Sequence, residues 1–247
     1  MPVMRAVLRS AWVWFAFLAI LVVATPCVAL VRLFDRDPAR YRTGRLLRRF
    51  AWPLTKVNPL WKIAIVGADR VSDPRRPYVA VANHQSFADV PIISRLPWEM
   101  KWVAKRSLFR VPFLGWMMRL AGDIPVNRRD KQSRAAVLPR MHWYLQRRCS
   151  VMLFPEGARS SDGEVHDFAD GAFRAAIEAH VPILPLAISG SRDCLPRGSW
   201  LFTAACDVRL QVLPPVETTG LTLADAPALR DQVRSLIAEE VSRKAAL

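Results

Sequence analysis

The chain has 247 residues, 36 Lys and Arg against 21 Asp and Glu, a formal net charge of +15 and a hydrophobic fraction of 52%. That length suits one well-buried domain with an appendage, and no compositional break marks a second full domain. So much positive charge serves solubility, steering or attraction to an anionic partner, for which nucleic acid and anionic lipid are the candidates. A positive mean hydropathy of +0.12 favours lipid over nucleic acid, for which no binding motif is visible.

The first element is the uncharged run from Ala11 to Val31, about the ~20 residues a helix needs to cross a bilayer core. Arg5 and Arg9 before it and the small residues at Cys27-Val28-Ala29 would also fit a cleaved signal peptide. Leu30, Val31 and Leu33 keep it apolar past that point, which favours a retained membrane anchor. Pro26 is expected to break the run into two halves, giving a kinked span or a shallow hairpin. Next come Arg32, Arg36, Arg40, Arg42, Arg45, Arg48 and Arg49 against only Asp35 and Asp37. That asymmetry predicts a cytoplasmic catalytic face and arginines laid against anionic membrane lipid. Residues 1–60 are thus read as anchor and 61–247 as the catalytic domain.

Beyond the anchor, strands are expected at Lys62–Val66, Tyr78–Ala82, Lys101–Ala104, Asp123–Val126, Val151–Phe154, Ile183–Ile188 and Val208–Leu213. Helices are expected at Ser133–Arg148, kinked or restarted at Pro139, at Phe168–Ala179 and at Ala226–Lys244, with Asp225 as N-cap of the last. On that last helix Leu229, Val233, Leu236, Ile237 and Val241 share one face. The alternation predicts an α/β domain around a mixed, largely parallel sheet. The four cysteines, Cys27, Cys149, Cys194 and Cys206, have no metal-site spacing and are expected as free thiols.

The chemistry is carried by Asn83-His84-Gln85-Ser86-Phe87-Ala88-Asp89, where an apolar strand runs into a polar turn. A bend would bring Asp89 to the His84 ring, giving two members of a serine-protease-like arrangement. The carboxylate fixes the tautomer and the other ring nitrogen takes a proton from an incoming hydroxyl. Ser86 is a rival nucleophile, but it lacks the G-x-S-x-G setting that exposes one. His142, His166 and His180 lack such a context and are read as bystanders.

This segment resembles the N-H-x-x-x-x-D box of the glycerolipid acyltransferases, the group that contains 1-acyl-glycerol-3-phosphate acyltransferase. Gly122 to Arg128, Phe154 to Ser160 and Val181 to Leu186 are similar to that family's three further blocks, in the same order. The resemblance covers about Tyr78 to Val212. Pro125 stands where the family usually has an aromatic, and Ala158 where it usually has Thr. The resemblance implies acyl transfer from acyl-CoA or acyl carrier protein to the sn-2 hydroxyl of lysophosphatidate, giving phosphatidic acid without a cofactor or metal. It implies catalysis by His84 and Asp89, with Lys105, Arg128, Glu156, Gly157 and Arg159 binding the lysophospholipid acceptor. Arginine suits the phosphate because its planar fork makes paired hydrogen bonds. A different lyso-lipid acceptor, or a non-catalytic lipid-binding protein, is the alternative reading.

Overall fold

The computed structural model describes residues 2–195 and 198–245. Residues 1, 196, 197, 246 and 247, which fall within the two regions expected above, lie outside the described ones. Helix α1 (Pro2–Phe34) is continuous through Pro26, so of the two expected forms the segment takes that of one helix and not the hairpin. Proline removes one backbone donor, and the helix is held across that point from outside. Leu21, Ala24 and Val28 pack on Leu47 of α2 (Tyr41–Leu54) and on Met117 and Ala121 of α4 (Leu114–Ala121).

The N-terminal half of α1 is also fastened to the domain. Arg9 Nη2 donates to the Phe202 carbonyl at 2.6 Å, Phe202 N–H donates to Ser10 Oγ at 2.9 Å, and Trp14 Nε1 donates to the Trp200 carbonyl at 2.8 Å. A buried stripe of Ser10, Val13, Leu21, Ala24 and Val28 therefore faces protein along most of the helix. The other side leaves Trp12, Phe15, Leu18, Val22, Val23, Leu30 and Leu33 exposed. An apolar surface of that extent is a contact surface for lipid or protein.

Arginines of the basic run divide between surface and interior. Arg48 is buried and ion-paired with Asp123, and its Nε lies 3.8 Å from Glu99, so it holds α2 to the domain and is not among the lipid-facing cations expected of this run. Glu99 pairs with Lys101 at 2.9 Å, and Lys101 Nζ also donates to the carbonyls of Arg40 and Ala121 at 3.1 and 2.8 Å. Gly44 makes room for this cluster: a Cβ there would lie 1.9 Å from Glu99 Oε1.

Seven strands form the sheet: β1 (Trp61–Val66), β2 (Val79–Ala82), β3 (Met100–Lys105), β4 (Ile124–Val126), β5 (Ser150–Leu153), β6 (Ile183–Ser189) and β7 (Cys206–Val212), in the spatial order β1-β7-β6-β2-β5-β3-β4. Every neighbouring pair is parallel except β6 with β7, which is the mixed, largely parallel sheet expected. Alternation sorts the side chains of the central strands. Val79 and Val81 of β2 enter one core with Met141, Phe173, Val233 and Ile237, while Ala80 and Ala82 enter the other with Ile92, Trp98 and Trp102. The first core lies under α6 (Val137–Leu145), α7 (Gly171–Ala179) and α8 (Ala226–Ala245), and the second under α3 (Asp89–Ile93) and the segment after it.

The helix expected over Ser133–Arg148 with a restart at Pro139 is two helices, α5 (Lys131–Ala135) and α6, with Pro139 in the first turn of the second, where its missing N–H costs nothing. Three other local expectations change. Helix α7 begins at Gly171, not Phe168. Asp225 does not cap α8: its carboxylate accepts from the backbone N–H and hydroxyl of Thr222, closing a capping box on a preceding 3-10 turn. Leu236, expected on the packed face of α8, is 37% exposed. All four cysteines are free thiols.

Candidate active site

Strands β2, β5, β3 and β4 are mutually parallel, so the residues following each of them gather at one edge of the sheet, the edge where open α/β sheets place ligands. His84 follows β2, Lys105 ends β3, Arg128 follows β4, and Glu156, Gly157 and Arg159 follow β5. Before His84, Asn83 is tied across β6, its Nδ2 donating to the Ile188 carbonyl and its Oδ1 accepting from Ile188 N–H, both at 2.8 Å.

The His84 backbone is then clamped from both sides by the loop after β5. Its N–H donates to Glu156 Oε1 at 2.8 Å, and its carbonyl accepts from Ser160 N–H at 2.7 Å. Its ring lies flat on Phe154, with centroids 3.9 Å apart and 11° between planes. Backbone and ring are therefore both fixed before any substrate arrives.

Asp89 is the first residue of α3 and fully buried. Its Oδ2 lies 2.8 Å from His84 Nδ1 and also accepts from the backbone N–H groups of Gln85 and Ser86 at 2.7 and 2.9 Å. Its Oδ1 accepts from Ser191 Oγ at 2.5 Å. The five-residue spacing thus closes into a turn wrapped around the carboxylate. With Nδ1 carrying the hydrogen toward Asp89, Nε2 is left with its lone pair, and it makes no hydrogen bond among the described residues. This side chain keeps 13% of its surface exposed. Such a histidine can accept a proton from a hydroxyl and return it.

Glu156, expected among the acceptor-binding residues, accepts the His84 backbone N–H on Oε1, while Oε2 is buried without a hydrogen-bond partner among the described residues. Burial pushes its pKa up to about 7, the bond from His84 N–H offsetting only part of that. Gly157 adopts φ +74°, and a Cβ there would meet nothing within 4 Å. The left-handed backbone favours glycine there, and the space beside it is open.

The cations are less tightly gathered. The Arg159 guanidinium lies 5.9 Å from the Phe87 ring centre, beside the His84–Asp89 turn. Arg128 is half-buried, has no carboxylate partner among the described residues, and burial lowers its pKa from the usual arginine value. Lys105 is exposed. Neither Lys105 nor Arg128 makes a hydrogen bond or ion pair with the His84 cluster among the described residues.

Ser191 and Phe154 were not found as contributors from the sequence. Ser191 follows β6, 102 positions from Asp89, and nothing local distinguishes it from any loop serine. Phe154 was visible only as part of a motif. His166, read as a bystander without an acidic partner in a strand-to-turn setting, does pair with Asp162 at 3.0 Å, on an exposed loop.

A buried carboxylate beside one imidazole nitrogen, with the other nitrogen open at the edge of a mixed sheet where ligands bind, has the arrangement that acid–base chemistry needs. Residues 62–189 match the model of the Acyltransferase family. The chain belongs to that family. It is 34% identical over 197 residues to a 1-acyl-sn-glycerol-3-phosphate acyltransferase of Chlamydomonas reinhardtii, a match covering 78% of this chain and 58% of that protein. The chain thus spans little more than half the length of that relative. It is 35% identical over 223 residues to the mouse 1-acyl-sn-glycerol-3-phosphate acyltransferase alpha, covering 90% and 75% of the two chains. The fold is shared with the crystal structure of the 1-acyl-sn-glycerophosphate (LPA) acyltransferase PlsC from Thermotoga maritima, with a TM-score of 0.84, 24% identity and coverage of 100% and 99%.

Proposed function

We propose that the protein transfers a fatty acyl group from an acyl thioester, acyl-CoA or acyl carrier protein, to the sn-2 hydroxyl of 1-acyl-glycerol 3-phosphate, forming phosphatidic acid for phospholipid biosynthesis. The observation that carries this reading is the 2.8 Å contact of His84 Nδ1 with buried Asp89, with Nε2 left without a hydrogen bond among the described residues. The names of the relatives support the choice of acceptor.

In this mechanism Nε2 removes the proton of the acceptor hydroxyl as its oxygen attacks the thioester carbonyl. The C–O bond forms, and Asp89 stabilises the imidazolium. Collapse of the tetrahedral intermediate breaks the C–S bond, and the proton passes from Nε2 to the departing sulfur. Oxygen, sulfur and proton balance with the thioester as the only co-substrate, so no cofactor enters. Arg128 and Arg159, with Lys105, hold the acceptor phosphate, for which a guanidinium fork is the better shaped donor.

Membrane association follows from α1. A helix whose buried stripe runs from Ser10 to Val28 against the catalytic domain cannot cross a bilayer without taking that domain with it. In this reading it lies in the interface with Trp12, Phe15, Leu18, Val22 and Val23 in lipid, and the basic run that follows it supports a catalytic domain on the cytoplasmic face of the inner membrane, where the anionic leaflet attracts arginine. The reaction is tested with purified protein in liposomes, a panel of lyso-lipid acceptors and both donor types, products being identified by mass. Phosphatidate formed from lysophosphatidate supports the proposal. Turnover only with another acceptor overturns the substrate, and none with any acceptor overturns the enzyme.

A further inference from the structure

A pocket of about 520 Å³ opens on the far side of the edge strand β4, bounded by α4, α6, the 3-10 turn Arg106–Arg110 and the turn that joins α1 to α2. Five arginines line it: Arg40, Arg106, Arg110, Arg119 and Arg140. None of the five forms an ion pair among the described residues. Asp123, the acidic residue of the lining, pairs through Oδ1 with Arg48 and with the Trp102 N–H at 2.9 Å, and its Oδ2 is buried without a hydrogen-bond partner among the described residues, turned away from the open cavity. Arg40 gives Nη1 to the Arg119 carbonyl at 2.8 Å, which fixes one wall, while the side chains of the other four donate no hydrogen bond among the described residues. Five guanidinium groups around one cavity, none paired with a carboxylate among the described residues, raise the local positive potential and favour an anion that enters it.

His84, Asp89, Glu156 and Arg159 do not line this cavity, so it is separate from the acyl-transfer centre. Its rim is apolar. Val111, next to Arg110, is 41% exposed, and Trp116, one helical turn from Arg119 on α4, is 49% exposed. Leu33 and Phe34, at the end of α1 that leads into Arg40, are 79% and 74% exposed. Tryptophan and aliphatic side chains beside a nest of arginines match the boundary between acyl chains and headgroups.

We infer that this cavity is a discrete site for the phosphate of an anionic membrane phospholipid, distinct from the acceptor site, with the lipid tails running over Val111, Trp116 and the end of α1. The inference rests on the membrane-bound reading above. Guanidinium groups bind the phosphate oxygens through paired, charge-assisted hydrogen bonds.

The test is calorimetric titration of the full chain in neutral detergent at fixed salt with dihexanoyl phosphatidylglycerol, dihexanoyl phosphatidylcholine and inorganic phosphate, for wild type and for R110Q/R140Q, both positions being exposed. Wild type should bind one phosphatidylglycerol and bind phosphatidylcholine and inorganic phosphate much more weakly. The double variant should lose about ten- to a hundredfold in affinity for phosphatidylglycerol, with turnover of lysophosphatidate in neutral detergent unchanged. Wild-type affinity in the variant, or equal binding of phosphatidylcholine, overturns the site. Inorganic phosphate binding as tightly as phosphatidylglycerol assigns it to a free anion and overturns the lipid. Failure of the membrane-bound reading is read separately, as wild-type protein that floats with no vesicle of any composition.

Discussion

The Ser191 hydroxyl lies 2.5 Å from Asp89 Oδ1, both side chains fully buried, and so it fixes the one carboxylate oxygen that His84 does not use. Ser191 therefore positions the aspartate that positions the histidine. A hydrogen bond to a charged group contributes about 1.5–3 kcal/mol, so Ser191→Ala should lower kcat about tenfold or more while KM for the acceptor stays near wild type. A change in KM alone would assign Ser191 to substrate binding.

His84→Ala should remove the general base and lower turnover by about 10²–10⁴-fold in a protein that remains folded and membrane-associated. Asp89→Asn should also be severely impaired, because an amide keeps the position but does not stabilise the imidazolium. Near-normal turnover by folded His84→Ala would reject the mechanism, and retention of most activity by Asp89→Asn would reject the dyad.

Glu156 predicts a specific dependence of stability on pH. Its folded-state pKa of about 7 stands above the ordinary 4.5, so between those values the folded protein holds a proton that the unfolded chain releases. Linkage then makes this contribution to stability complete below about 4.5 and lost as pH rises through about 7. Thermal unfolding in detergent should show wild type losing ground to Glu156→Gln across that window. Parallel profiles for the two proteins would show that the buried carboxyl is ionised throughout.

Neutralising Arg128 or Arg159 should lower catalytic efficiency on lysophosphatidate by about ten- to a hundredfold, from the loss of charge-assisted hydrogen bonds. A matched lyso-lipid without the phosphate monoester should be affected much less. Equal losses on both acceptors would place these arginines in the fold or at the donor.

Gly44→Ala should destabilise the junction between α2 and the sheet, because the new Cβ would fall 1.9 Å from Glu99 Oε1 and 2.6 Å from Lys101 Nζ. Separating a buried ion pair costs about 3–5 kcal/mol, which a denaturation midpoint measures directly. An unchanged midpoint would mean that α2 shifts to admit the methyl group.

What the sequence determined by itself was local. Short apolar runs located all seven strands to within a residue or two, since such a run is a property of each strand alone. The turn from Asn83 to Asp89 was legible for the same reason, as both members of the dyad lie within five residues. Tertiary structure decided whatever depends on a distant partner. Pro26 did not break α1, because packing on Leu47, Met117 and Ala121 supports the helix there. Arg48 turned inward because Asp123, 75 positions away, supplies its counter-charge. Ser191 came to Asp89, and Glu156 to the backbone of His84, because strands far apart in sequence are neighbours in the sheet. Charge, hydropathy and periodicity are additive along a chain and can be read from it. The pairing of a buried polar atom depends on which atoms the folded chain brings within about 3 Å, and only the completed sheet order fixes that.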